Sequence, residues 1–216
     1  MRQNPSFTLA GEDGIKRLIR ENPFATIVSN TDAGGLVASH YPVILDEEAE
    51  GIVLLSHVGK PDDLIHELGS HELLVIVQGS HGYISPGWYG DGPAVPTWNF
   101  SAAHLTGTPE ILSAEENLKV LDRLVEHFEH VMPHPRLMNG TPENAAYAEK
   151  ISAGTVGFRL RVQRFVAKDK MSQNKLADTV VEIIHGLESD EHYANPALVN
   201  QMRRVHPNAA SKRPSR

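Results

Sequence analysis

The sequence predicts an α+β chain, mainly antiparallel β with peripheral helices, and three observations carry the prediction. Apolar runs of strand length follow one another through the first half with short polar turns between them, the pattern of a meander. Phe158, Leu160 and Val162 alternate with Arg159, Arg161 and Gln163, as in a strand with one wet face. Ser113 with Glu116 three residues later is a capping box, and Leu118, Leu121, Leu124, Val125 and Phe128 continue at helical spacing. Together these favour a small antiparallel barrel over a doubly wound sheet.

In chain order, residues 11–21 read as a short helix with Ile15, Leu18 and Ile19 on one face, ended by Asn22-Pro23. Strands are predicted over 24–29, over 36–45 after Gly34-Gly35, and over 51–57 after the acidic turn at 46–50. Pro61 suits the first turn of a helix over 62–68. The run 73–77 is apolar throughout, so both faces of that strand should be buried, yet Gln78 follows at once. A long strand is expected over 95–109, then the capped helix, then a polar connection over 132–144. One alternating strand over 155–166 and helices over 175–187 and 191–205 complete the chain.

A length of 216 residues suits one main domain, 40% apolar and 22% charged residues suit a globular protein, and no stretch is long and apolar enough to span a membrane. The N-terminus lacks an apolar segment after a basic start, so a cytoplasmic location is expected. The absence of cysteine excludes disulfides, thiolate metal sites and a cysteine nucleophile. A net charge of −7 argues against a broadly basic nucleic-acid face. Arg203, Arg204, Lys212, Arg213 and Arg216 nevertheless cluster after the last acidic residue, Glu191, and a solvated tail is the simpler reading of them.

No G-x-G-x-x-G, Walker loop or G-x-S-x-G elbow is present, which argues against Rossmann, P-loop and α/β-hydrolase chemistry. His66 and His71 are five apart, off one helix face, and His127, His130 and His134 have only their spacing to recommend them, so no metal set is assigned. Residues 54–64 are more suggestive: a strand ends in Ser56 and His57, turns at Gly59, presents Lys60 and enters a helix. Amides, a hydroxyl and an ammonium there suit a phosphate, and a capped turn with a solvated lysine explains the same residues equally well. Upstream, Ser39, His40, Tyr41 and Pro42 precede a buried run. Residues 73–107 hold both tryptophans, Trp88 and Trp98, with Gln78 and Asn99, a set suited to a flat heteroaromatic ligand.

Taken together, Ser39-His40-Tyr41-Pro42, His57-Val58-Gly59-Lys60, the run from Gln78 to Tyr89, Val95-Pro96-Thr97-Trp98-Asn99-Phe100 and Lys170-Met171-Ser172-Gln173-Asn174-Lys175 resemble the successive motifs of the PaiB family of FMN-binding negative transcriptional regulators. That family lies in the split-barrel superfamily of pyridoxamine phosphate oxidases and flavin reductases. The resemblance spans about residues 7–187 and implies an FMN-binding domain over 1–187, followed by a C-terminal helix and basic tail over 188–216. It implies a six-stranded antiparallel split β-barrel, a homodimer and FMN at the subunit interface. Ser56, His57 and Lys60 would then hold the phosphate and Ser39 to Pro42 would line the flavin. Gln78, Trp98 and Asn99 would reach the ring, and Ser172, Gln173 and Asn174 would add polar contacts, although a strand exit with a helix cap would also explain the last motif. Phe100 departs from the family pattern by lacking a hydroxyl.

The resemblance links the chain to negative transcriptional regulation, with direct DNA contact open. Its alternatives are an FMN-dependent oxidoreductase of small molecules and a haem-binding split barrel supplied with axial ligands from twelve histidines. No catalytic base is assigned; His40, His57 and His104 are candidates because they lie on pocket-forming strands.

Overall fold

The computed structural model describes residues 1, 4–9, 11–32, 34–90 and 92–208. The expected basic tail residues Lys212, Arg213 and Arg216 lie outside them. Helix α1 (Gly11–Glu21) buries Ile15, Leu18 and Ile19 on the face read from the sequence. Strands β1 (Phe24–Asn30) and β2 (Leu36–Pro42) pair antiparallel, with Thr26 opposite His40 and Ala25 opposite Tyr41. The predicted strand over 36–45 is two strands, because buried Val43 separates β2 from β3 (Ile44–Leu45). The Val43 amide donates to the Pro23 carbonyl rather than extending the ladder.

Strand β4 (Val53–Gly59) leads directly into α2 (Lys60–His66), with Pro61 in the first helical turn, where its missing N–H costs nothing. Strand β5 (Leu73–Ile84) runs seven residues beyond the apolar stretch and carries Gln78 exposed. Strands β6 (Thr97–Gly107) and β7 (Pro109–Ile111) replace the single long strand, and α3 (Ala114–Glu129) begins with the full capping box. Helix α4 (Pro142–Ser152) begins inside the connection expected over 132–144 and continues through chain to which the sequence reading assigns no element. Strands β8 (Thr155–Arg161) and β9 (Arg164–Lys170) divide the expected alternating strand, and α5 (Ala177–Ser189) and α6 (Pro196–Val205) follow. The boundary expected after residue 187 falls inside α5.

The strands form two sheets, in the orders β2-β1-β5-β6-β9 and β3-β4-β8-β7, and the described pairings are antiparallel. By contacts the chain comprises two compact units, residues 12–77 with 103–166, and residues 1–11, 78–102 and 167–216. In the first, Ile44, Leu55, Leu112, Val120 and Leu124 form a cluster that seats α3. In the second, Ile84, Met171, Val180, Ile183, Ile184, Leu187, Leu198, Val199 and Met202 form the core that holds α5 and α6. No helix among the described residues is long and apolar enough to cross a membrane.

Candidate functional site

The sequence-predicted site residues fall into two groups, one in each unit. In the unit containing β4 and α2, Ser39 and Tyr41 project from alternate positions of β2, the two-residue period that puts side chains on one face. Tyr41 Oη donates to Asp62 Oδ2 at 2.8 Å and accepts the Gly59 N–H at 3.0 Å. Ser39 Oγ lies 2.9 Å from His66 Nε2, and the other ring nitrogen of His66 lies 2.6 Å from Ser29 Oγ. Asp62 and His66 are four apart on α2 and so share a face. The result is a continuous polar chain from Ser29 through His66, Ser39, Asp62 and Tyr41 to the amide of Gly59.

Burial keeps His66 below the ordinary imidazole pKa, against the opposing pull of the Asp62 carboxylate. Hydrogen bonds from Tyr41 and Ser39 hold Asp62 below the usual carboxylate range, while burial raises Tyr41. His57, beside the edge of the Tyr41 ring, is lowered by burial alone, and its Nδ1 is buried without a hydrogen-bond partner. His40 is exposed, stacks on Phe24 and hydrogen-bonds Thr26.

The turn into α2 offers a phosphate less than its sequence suggests. Ser56 is fully buried and donates to the Pro42 carbonyl at 2.7 Å. The Gly59 amide is taken by Tyr41 and the Lys60 amide by the Gly154 carbonyl. What remains is the exposed Lys60 ammonium, which lines a cavity of about 650 Å³ with Leu118, Asn117, Ser152, Thr155 and Val156. Glu115 and Glu149 also line it, and the Glu115 carboxylate is engaged by Lys119 at 2.6 Å.

In the other unit, Trp98 is 53% exposed and rests near His81 and Tyr83. Asn99 is fully buried and exchanges hydrogen bonds with Ser172, and its amide nitrogen also reaches Met202 Sδ. Gln173 folds back, accepting from the Met171 amide and donating to the Asp169 carbonyl. Ser101 and Gln201 both donate to the Asp169 carboxylate. Lys170 donates to Thr97 Oγ1 and the Trp98 carbonyl, and burial lowers its pKa. Ser172 and Gln173 therefore have their polar groups engaged inside the protein, whereas Gln78 and Asn174 are exposed.

A family model described as "Putative FMN-binding domain" matches residues 1–164. The chain belongs to this family of FMN-binding domains. Protease synthase and sporulation protein PAI 2 of Bacillus subtilis is 29% identical over 86% of this chain and 88% of its own length, in keeping with the PaiB-like motifs. Among solved structures, the FAD and haem binding protein of Mycobacterium smegmatis aligns with a TM-score of 0.56 at 18% identity, over 76% of this chain and 73% of that one. The flavocytochrome Anf3 of Azotobacter vinelandii aligns at 0.53 and 15% identity, over 74% and 67%. Identities this low speak for a common fold, similar to flavin-binding split barrels. FMN is the cofactor that the family supports.

Asp62 and Ser29 escaped the sequence reading, which weighed His66 only as a metal ligand with His71 and set it aside. The spacing of Asp62 and His66 on α2 was the available signal, and Ser29 carried none because its partner is 37 residues away.

Proposed function

We propose that this chain is a flavoprotein of the PaiB type, a homodimeric six-stranded split barrel in which Lys60 neutralises the FMN phosphate. The observation that carries the reading is the exposed ammonium of Lys60 at a cavity of about 650 Å³, a size within the roughly 300–1,000 Å³ typical of ligand pockets. The residues present fit the cofactor in a restricted way. In the unit that holds β4, Lys60 supplies charge and His57 a buried ring nitrogen without a partner; in the other unit, Trp98 offers half-exposed aromatic surface. Ser56 acts at one remove, bracing β4 against Pro42. Ser39, His40, Tyr41 and Pro42 are assigned to the flavin environment, with Tyr41 and Ser39 oriented by Asp62 and His66. Gln78, Trp98 and Asn174 are candidates for direct contact, whereas Asn99, Ser172 and Gln173 act by fixing the end of β9 and α6. Bound FMN would supply the redox chemistry, and the protein would bind it, orient it and hold the neighbouring imidazoles neutral.

Lys60→Ala should weaken FMN binding by about ten- to a hundredfold, the loss of one charge-assisted contact, with an unchanged circular dichroism spectrum. Unchanged affinity in a flavin-fluorescence titration would remove Lys60 from the site. A link to negative transcriptional regulation, as the resemblance to the PaiB family implies, and a cytoplasmic location are also part of this reading. A second reading is haem binding, favoured by the haem named for the Mycobacterium smegmatis protein and by the exposed imidazole of His40. Titration with haemin beside FMN separates them: a Soret band without flavin uptake selects haem.

A further inference from the structure

Away from the residues assigned above, three side chains with metal-ligating atoms converge from separate segments. Asp32 follows β1, Glu67 caps the C-terminus of α2, and His71 lies in the turn before β5. One ligating atom from each lies within 4.8 Å of the others. His71 Nε2 is 2.7 Å from Glu67 Oε2 and 3.7 Å from Asp32 Oδ1. With metal–ligand bonds of about 2.1 Å, neighbouring donor atoms lie about 3.0 Å apart in an octahedron and about 3.4 Å apart in a tetrahedron. The two measured separations bracket those values, and the third, between the Asp32 and Glu67 carboxylates, is within 4.8 Å.

We propose that Asp32, Glu67 and His71 bind a divalent transition-metal ion, with Zn²⁺ as the best match. An imidazole nitrogen beside two carboxylates suits zinc, whereas calcium and magnesium prefer oxygen ligands throughout. The site is open to solution: the Asp32 side chain is 89% exposed, while those of His71 and Glu67 are only about a quarter exposed. Two ligands are thus held by the fold, the third can swing onto an arriving ion, and water completes the shell. The left-handed backbone at Glu67, φ 47°, ends α2 and returns the chain so that His71 faces the cap. Bound zinc would tie the β1–β2 turn to the end of α2. This site shares no residue with the flavin assignment and does not depend on it.

The test is calorimetric titration of the full chain with ZnCl₂, with Co²⁺ absorption as a second reading of the coordination. One saturable site per chain is expected. Asp32→Asn and His71→Gln should each weaken it by about tenfold or more, since even groups that merely orient metal ligands are worth that much. His127→Ala on α3 should leave the affinity unchanged, and retained FMN binding in His71→Gln would show that the variant folds. Absence of a saturable site, or a site that persists in the Asp32→Asn/His71→Gln double variant, would reduce the cluster to an ion pair and overturn the proposal.

Discussion

At the scale of single residues, the polar groups around α2 show how burial sets charge. His66 is sealed between Ser29 and Ser39, and a neutral ring satisfies both, one nitrogen donating and the other accepting. Its folded pKa and that of His57 lie below the ordinary value, so below about pH 6.5 the unfolded chain binds protons that the folded chain refuses. Stability is therefore complete above that pH and declines as pH falls through the window between the unfolded and folded pKa values. Urea midpoints at pH 7.5 and 5.5 should show this decline in the parent and a smaller one in His66→Gln; equal slopes would mean that His66 is not a source of it. The sequence announced Lys60 and His57 through their place at a strand–helix turn. It could not announce that Ser172 turns inward, because its partner Asn99 is 73 residues away, whereas Gln173 folds onto its own near neighbours, the Met171 amide and the Asp169 carbonyl.

At the scale of elements, what was legible depended on whether a periodic apolar face existed. Helices α1 and α3 have such faces and end or begin on recognisable signals, Asn22-Pro23 and the Ser113–Glu116 box. Helix α4 buries none of its described residues and so offers no periodic stripe to read, although Thr141 caps it and Pro142 starts it. Strands β8 and β9 merged in the sequence because apolar and polar residues go on alternating through Val162 and Gln163. The structure turns there, with the Val162 amide donating to the Ile52 carbonyl and the Gln163 amide to the Thr106 carbonyl. Packing details stay invisible to periodicity altogether. Gly186 lies inside α5, where alanine would ordinarily gain about 0.5–1 kcal/mol. A Cβ there would stand 2.5 Å from the Trp88 ring, so Gly186→Ala should instead destabilise the fold by about 1–3 kcal/mol and alter tryptophan emission. Equal or greater stability in thermal melts would show that the indole moves aside freely.

For the whole molecule, the family match ends at residue 164, but one core does not. Leu198, Val199 and Met202 of α6 are buried with α5, and His206 caps the arrangement with a 2.7 Å hydrogen bond to the Met171 carbonyl. Removing residues 209–216 should leave both melting temperature and FMN affinity unchanged. Ending the chain at residue 195 should expose Val180, Ile184 and Met171 and yield insoluble protein. A soluble truncation with the parent melting temperature would show that α6 is dispensable. General architecture was readable from composition and patterning, antiparallel strands with helices added. The division into units was not, because contact between distant segments has no local signature.

That division has a consequence for synthesis. One unit is complete in sequence once residue 166 has been made, whereas the other needs residues 1–11, 78–102 and the chain from 167 through α6. A nascent chain must therefore carry the apolar side of Ile84 without its partners until α5 and α6 emerge from the ribosome. Long-range closure of this kind is slow compared with local folding, which makes the final fifty residues the natural place for a chaperone to intervene.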